Sequence, residues 1–151
     1  MKVIRATKKD KLKAMQIAST LNEWFTEEGL KNMQTDFELN NVIVAKENDI
    51  VLGFLCYTSN CGKMLLLWIG VSAEKQRKGI GKKMLDWLIL KGKKHNLYSI
   101  EVETLPDEDE YEPYKITRAF YYKNGFEKIL YKKARIEGWD DQIVLEKKIF
   151  S

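Results

Sequence analysis

The stretch EKQRKGIGKK, residues 74–83, sets two glycines one residue apart among lysines and an arginine. A run this charged and this rich in glycine suits neither a buried core nor an ordinary helix face. Before it, MLLLWIGV at 64–71 is almost wholly apolar, which is typical of a central strand covered on both faces. After it, apolar residues recur every four positions from Ile80, which predicts a helix from about Gly79 to His95. The stretch is therefore expected to join a buried strand to a helix.

A turn of this kind can hold an anion. The first N–H groups of a helix have no intrahelical partners, so those of residues 77–82 are expected to point the same way. The two glycines let an anion approach the backbone without a Cβ in the way, and Arg77, Lys78 and Lys82 add positive charge. The sequence therefore predicts a site for a pyrophosphate group.

Two other phosphate motifs do not fit this spacing. The dinucleotide fingerprint needs a third glycine where Met84 stands. A P-loop needs glycine at Gln76 and serine or threonine at Lys83. The spacing alone also allows a plain sharp turn with lysines that keep the surface soluble.

Composition favours one soluble globular domain over residues 1–151. The chain is 44% hydrophobic and 32% charged, with no apolar run long enough to span a membrane, so no membrane partner is expected. Two cysteines are too few for a disulfide framework, which favours a cytoplasmic location. The net charge is +4, but the acidic run DEDEYE at 107–112 interrupts any basic face and disfavours nucleic-acid binding.

The rest of the chain alternates between strand and helix patterns. Thr7 and Asp10 have capping-box spacing, and Thr26 precedes an acidic first helical turn. The predicted elements are a strand at 3–6, helices at 8–21 and from about 26, hairpin strands at 41–46 and 50–58, strands at 64–71 and 97–105, a helix at 116–126, and strands at 126–136 and 142–148. This order predicts an α/β domain with a mixed sheet.

The stretch VSAEKQRKGIGKKML, residues 71–85, resembles the acyl-CoA signature of the GNAT superfamily of N-acyltransferases. In that signature Arg or Gln is followed by two variable residues, Gly, one variable residue, and Gly or Ala, which here are Gln76, Gly79 and Gly81. TRAFYYKNGFEKI at 117–129 is similar to the family's second block, and IVLEKKI resembles its closing strand. The resemblance covers most of the chain, and its specific part is residues 64–129. It implies a mostly antiparallel central sheet flanked by helices, with a splayed central strand.

By this resemblance the anion is the pyrophosphate of acetyl-CoA, and no metal is needed. A bulge near Ile69 to Val71, at Gly70, would splay the central strand and leave its backbone free to pair with the pantetheine arm. The cofactor-binding residues that the resemblance implies are Ile69, Val71, Gln76, Arg77, Lys78, Gly79, Ile80, Gly81 and Lys82.

Tyr121 aligns with the family tyrosine that protonates the departing thiolate. A phenol with a pKa of about 10 is a competent donor to a thiolate. Many tyrosines beside a phenylalanine on an amphipathic helix are instead core residues, and Tyr122 is expected to point elsewhere. Many family members carry a glutamate base where Leu65 stands, so the amine proton is expected to leave through a chain of water or to solvent before binding. Glu101 and Glu103 on the next strand are the alternative, acting through water, although solvent exposure explains them equally well.

The acceptor is implied to be a small or peptidic primary amine. Trp24 and Phe25 either belong to the core or line the acceptor cleft, and the carboxylates of DEDEYE are either solvated or attract a cationic amine. His95 is expected at a helix end, and Cys56 and Cys61 form no metal set with it.

The function expected is acetyl transfer from acetyl-CoA to an amine in a ternary complex. The first alternative is an acyl-CoA-binding or sensing domain that lacks the chemistry, and the second is a basic nucleic-acid-binding module, whose binding would be salt-sensitive. The sequence leaves a homodimer open.

Overall fold

The computed structural model describes residues 1–150, which form one seven-stranded sheet with two helices on each face. The strands are β1 (Lys2–Arg5), β2 (Asn41–Glu47), β3 (Ile50–Asn60), β4 (Lys63–Val71), β5 (Ser99–Thr104), β6 (Glu127–Lys132) and β7 (Gln142–Lys148). The helices are α1 (Lys8–Thr20), α2 (Glu27–Leu39), α3 (Ile80–Lys94) and α4 (Glu112–Lys123), and a 3₁₀ turn spans Ala73–Lys75. The predicted order of elements is confirmed.

The sheet is mixed and mostly antiparallel, as predicted. Its strands lie in the order β1–β2–β3–β4–β5–β7–β6. Within the described residues only β4 and β5 run parallel, and α3 makes the crossover between them. The chain therefore passes from β4 into α3 in the middle of the sheet.

Capping residues set where the first two helices begin. The Thr7 hydroxyl accepts the Asp10 N–H at 3.1 Å, and the Asp10 carboxylate accepts the Thr7 N–H at 3.0 Å, which is the predicted capping box. Thr26 caps α2 by accepting the Gly29 N–H at 3.0 Å. These contacts satisfy helix N–H groups that would otherwise lack partners.

Two predicted boundaries near the end of the chain are wrong. Helix α4 begins at Glu112, four residues before the expected start, and Pro113 lies in its first turn, where a missing N–H costs nothing. Strand β6 ends at Lys132 instead of residue 136. There the Asp141 carboxylate accepts the Ala134 N–H at 2.8 Å, so residues 133–141 turn back as a loop.

The core has one layer on each face of the sheet. The layer under α3 and α4 is the larger, and α1 and α2 cover the β2, β3 and β4 part of the other face. Representative buried residues of the first layer are Met84, Leu88, Ile100, Tyr121 and Leu145, and of the second Ala14, Met33, Phe37, Val44 and Phe54.

Strands β4 and β5 separate at one end, as the resemblance implied. Their pairing runs from Lys63 opposite Ser99 to Leu66 opposite Val102. Beyond that point β4 continues to Val71 and β5 to Thr104 without pairing to each other. The separated ends leave backbone groups of β4 without a partner strand on the β5 side.

The bulge does not lie where it was expected, near Ile69 to Val71. The register between β3 and β4 shifts between Cys56 and Tyr57, which leaves Leu67 as the extra residue of β4. Gly70 instead pairs regularly with Phe54, and a Cβ at Gly70 would lie 2.6 Å from the Phe54 ring. This glycine therefore makes room for Phe54 and does not mark the bulge.

Candidate active site

The first turn of α3 presents a row of free backbone N–H groups. Gly79 precedes the helix with φ 82° and no side chain caps it, and the first helical bond runs from the Lys83 N–H to the Gly79 carbonyl at 3.0 Å. Across the described chain, the N–H groups of residues 77–82 donate to no protein acceptor. We call residues 77–82 the cradle. Its unpaired N–H groups and the helix dipole together suit an anion.

The two glycines of the cradle have different physical roles. A Cβ at Gly79 would meet no atom within 4 Å, but its φ of 82° lies in the left-handed region that L side chains rarely adopt. Gly81 has an ordinary φ, and a Cβ there would lie 3.3 Å from the Phe120 ring of α4. Gly79 is thus favoured by the turn, whereas a side chain at Gly81 would need Phe120 to shift by a few tenths of an ångström.

Cationic side chains surround the cradle. Arg77 and Lys78 are exposed and make no ion pair with the described residues, while Lys82 contacts Asp86 at 2.9 Å. Arg77 also has a positive φ of 62°, which is uncommon for a residue with a side chain. Two of the three predicted cations are therefore free to meet an anion.

The cradle is fastened to the free end of β4. The Gln76 side-chain amide donates to the Val71 carbonyl at 3.0 Å. Ile69 and Val71 are half-buried and pack against the α3 side of the core, and Ile80 is buried there. Gln76 thus holds the loop in place, and only backbone groups of Ile69, Val71 and Ile80 remain as candidates for contacts with a ligand.

Tyr121 lies inside the core layer under α3 and α4. It is 3% exposed and packs edge-on against Phe120 and Phe126, with ring centroids 5.5 and 5.3 Å apart. Burial raises the pKa of its phenol, so the hydroxyl keeps its proton at neutral pH. The hydroxyl makes no hydrogen bond to the described residues. Tyr122, in contrast, is exposed and donates to the Asp107 carboxylate at 2.8 Å.

The carboxylates of β5 are already paired with lysines. Leu65 lies directly opposite Glu101 in the register of β4 and β5, so Glu101 stands beside the position at which the resemblance would place a base. Its carboxylate lies 2.5 Å from the Lys63 ammonium, and that of Glu103 lies 2.5 Å from the Lys132 ammonium. Both carboxylates are therefore ion-paired in this arrangement.

The segment between α1 and α2 reaches the same end of the sheet. The Trp24 indole N–H donates to the Pro113 carbonyl at 3.1 Å and lies 3.2 Å from the Thr117 hydroxyl, both in α4. Phe25 packs against Trp68 on β4, with ring centroids 6.1 Å apart. Both aromatic residues are half-buried, so each has core contacts and some surface left over.

The acidic run is more ordered than a solvated loop. We call residues 105–111, which join β5 to α4, the β5–α4 loop. Partial burial alone would raise the pKa of Asp107, but hydrogen bonds from Tyr122 and Lys128 outweigh it and hold that pKa below its usual range. The buried Arg118 also donates into this loop, and the sequence did not predict Arg118 as a site residue. Its position three residues before Tyr121, on the inward side of α4, was the available signal.

The remaining candidates lie apart from this region or have no reactive form. His95 follows the last residue of α3, and burial raises the pKa of the Cys56 thiol to about 12. Among residues 1–150 no group of three or more His, Cys, Asp or Glu side chains is placed to hold a metal ion. No helix in that range is both long and apolar enough to cross a bilayer.

Comparisons with known proteins point to one family. A family model described as "Acetyltransferase (GNAT) domain" matches residues 38–128. No curated protein matches the sequence.

Solved structures share the fold over almost the whole chain. A GNAT-family protein from Desulfovibrio desulfuricans is 23% identical with a TM-score of 0.84, covering 98% of each chain. The ribosomal-protein-S18-alanine N-acetyltransferase of Escherichia coli is 18% identical with a TM-score of 0.79, covering 99% of this chain and 94% of that one. An aminoglycoside 6'-N-acetyltransferase solved with coenzyme A is 16% identical with a TM-score of 0.74, covering 100% of this chain and 98% of that one.

Proposed function

Since the chain belongs to the GNAT family of acetyltransferases, we propose that it moves an acetyl group from acetyl-CoA to a primary amine, by direct transfer in a ternary complex. The observation that carries the proposal is the cradle at the start of α3, which lies next to the separated ends of β4 and β5. We propose that residues 1–151 are one GNAT-type domain. Its two unpaired cysteines suit the cytoplasm, and a homodimer is compatible with the proposal.

The pyrophosphate of acetyl-CoA is assigned to the cradle. Six consecutive N–H groups without protein partners need acceptors, and phosphate oxygens supply them with negative charge. Arg77 and Lys78 add charge from the side, since no carboxylate of the described chain neutralises them. Gly79, Ile80, Gly81 and Lys82 contribute through their backbone, and Gln76 by holding the loop to β4.

The pantetheine arm is assigned to the free edge of β4. Beyond Leu66 this strand has no partner on the β5 side, so backbone groups at Ile69 and Val71 are available to amide groups of the arm. An arm bound there would run from the cradle toward the point where the strands part. It would carry the thioester into the space between β4 and β5.

Tyr121 is assigned as the general acid. The amine nitrogen attacks the thioester carbonyl carbon, the carbon–sulfur bond breaks, and the thiolate takes the Tyr121 hydroxyl proton. The amine releases its surplus proton to water, and the tyrosinate regains one from solvent. Burial raises the pKa of Tyr121, which keeps the phenol protonated before the step but also makes it a weaker donor to a thiolate, so the assignment rests on the resemblance of residues 117–129 to the family's second block.

No dedicated base is assigned. Leu65 cannot accept a proton, and the carboxylates of Glu101 and Glu103 are held by Lys63 and Lys132. The amine is therefore proposed to lose its proton to solvent before it binds, or through a chain of water.

Trp24 and Phe25 are proposed to line the acceptor side. They lie between α4, which carries Tyr121, and the free end of β4, which would carry the thioester. The similar structures include proteins named for acting on an S18 alanine and on aminoglycosides, so a peptide with a free N-terminal alanine and kanamycin are rational first acceptors. Spermidine adds a small flexible amine.

The test is turnover of acetyl-CoA with these three amines, followed by release of free thiol. Amine-dependent release with an acetylated product identified by mass is the expected result. Calorimetric binding of acetyl-CoA without turnover on a wide amine panel would favour the alternative, an acyl-CoA-binding or sensing domain. Absence of both would overturn the proposed function.

A further inference from the structure

Arg118 is a buried cation with no place in the proposed chemistry. It is 4% exposed on α4, three residues before Tyr121, so the two side chains lie on adjacent parts of the same helix face. Arginine is almost never fully buried unless its donors are satisfied, because removing the charge from water is costly. Its partners therefore indicate what it is for.

All its protein partners belong to one loop. Its Nη1 donates to the Leu105 carbonyl at 3.2 Å, its Nη2 to the Asp109 carbonyl at 2.5 Å, and its Nε lies 3.6 Å from the Asp107 carboxylate. These three residues are spread over the β5–α4 loop. A planar guanidinium can reach several acceptors at once, whereas a lysine ammonium offers one compact charge.

The loop that Arg118 holds begins where the site opens. Strand β5 last pairs with β4 at Val102 and ends at Thr104, and Leu105 follows directly. At its other end the loop enters α4, whose first turns also receive the Trp24 indole through Pro113 and Thr117. The N-terminal half of α4 thus contacts two segments near the free ends of β4 and β5: the β5–α4 loop and the segment that carries Trp24.

We propose that Arg118 is a positioning residue for the acceptor: it fixes the β5–α4 loop as one wall of the acceptor side. This inference rests on the proposed function, since it needs an amine that binds beside Tyr121. The donor side stays independent, because the cradle makes no contact through Arg118. Loss of Arg118 should therefore weaken acceptor use and leave acetyl-CoA binding intact.

The test compares Arg118→Met and Arg118→Lys with wild type on whichever of the alanine peptide, kanamycin and spermidine is turned over. Arg118→Met should raise the KM for that amine and lower its kcat/KM by roughly tenfold to a hundredfold, the range typical of a misplaced wall. The Kd for acetyl-CoA by calorimetry should be unchanged, and Arg118→Lys should recover part of the loss. Hydrogen exchange should quicken in residues 105–111. Lys115→Met, an exposed change on the same helix, should alter none of these values.

A second variant keeps the test valid if Arg118→Met does not fold. Asp107→Asn alters an exposed carboxylate of the loop and should shift the acceptor KM in the same direction, by less. An unchanged acceptor KM in folded Arg118→Met, or in Asp107→Asn if Arg118→Met does not fold, overturns the inference. An equal loss of acetyl-CoA affinity also overturns it, because the role would then be general stability. A wild type that turns over none of the amines instead overturns the proposed function and this inference with it.

Discussion

The two sides of the proposed site are built differently. The donor side is one short stretch that runs from the end of β4 into the first turn of α3. Its backbone N–H groups are the proposed ligands of the pyrophosphate, and its glycines shape the turn. The acceptor side is assembled from side chains far apart in the sequence: Trp24 and Phe25 after α1, the β5–α4 loop, and Arg118 on α4. The donor side can therefore be read from local sequence, whereas the acceptor side depends on tertiary contacts between distant segments.

The largest expected effect is on kcat, from replacing Tyr121, the proposed general acid between the donor and acceptor sides. Tyr121→Phe removes only a hydroxyl that makes no hydrogen bond to the described residues, so the fold should remain. We expect kcat to fall by roughly 10²-fold to 10⁴-fold, with little change in the KM for acetyl-CoA. Initial rates of thiol release measure this. Tyr98→Phe, which removes the hydroxyl of an exposed side chain, is the control, and an unaltered kcat in Tyr121→Phe would make Tyr121 a core residue.

The pH profile tests whether either side supplies a base. Residue 65 is a leucine, and the nearby carboxylates of Glu101 and Glu103 are paired with lysines. The rising limb of kcat/KM against pH should therefore follow the acceptor's own pKa, which is about 8 for an α-amine and about 10.4 for a lysine-like amine. Rates for a series of amines across pH measure this. A limb that stays at one pH for every amine, and disappears in Glu101→Gln or Glu103→Gln, would show a dedicated protein base.

The acceptor side should also contribute a small pH-dependent term to stability. The folded-state pKa of Asp107 is lowered, so its contribution is present above the unfolded value of about 3.9 and is lost as pH falls through the folded value. Asp107→Asn should lower the free energy of unfolding at pH 7 by at most about 1 kcal/mol, because the group is partly exposed, and should flatten its fall below about pH 4. Urea unfolding at several pH values measures this, with Asp49→Asn, on a fully exposed side chain, as the control. A parallel fall in both variants below pH 4 would contradict the role of Asp107.

The same contrast explains what the sequence could predict. The glycine turn, the helix after it and the Phe-Tyr block are local patterns, so the order of elements and the free N–H groups at residues 77–82 followed from spacing and helix physics. The separation of β4 and β5 followed from resemblance. The assignments of acetyl-CoA to the cradle and of acid catalysis to Tyr121 stay predictions.

What the sequence could not predict depends on distant partners. The bulge falls at Leu67, and Gly70, where it was expected, instead makes room for the Phe54 ring across the strand pair. Strand β6 ends early because Asp141, nine residues beyond Lys132, binds the chain as it turns. Arg118 looks like a surface residue until the carbonyls of Leu105 and Asp109 are brought to it. Each outcome depends on a contact between residues that are distant in the sequence.

The most direct test of the central claim compares two glycines with similar positive φ angles. Gly79 in the cradle has φ 82° and Gly62 in the turn before β4 has φ 79°, and a Cβ at either would meet no atom within 4 Å. Alanine at each should therefore cost a similar strain, roughly 1–2 kcal/mol of stability. Only Gly79→Ala should weaken coenzyme A binding by calorimetry, by about tenfold or more in Kd, since only there would the new Cβ meet the pyrophosphate. Equal coenzyme A affinity in the two variants would contradict the assignment of the pyrophosphate to residues 77–82.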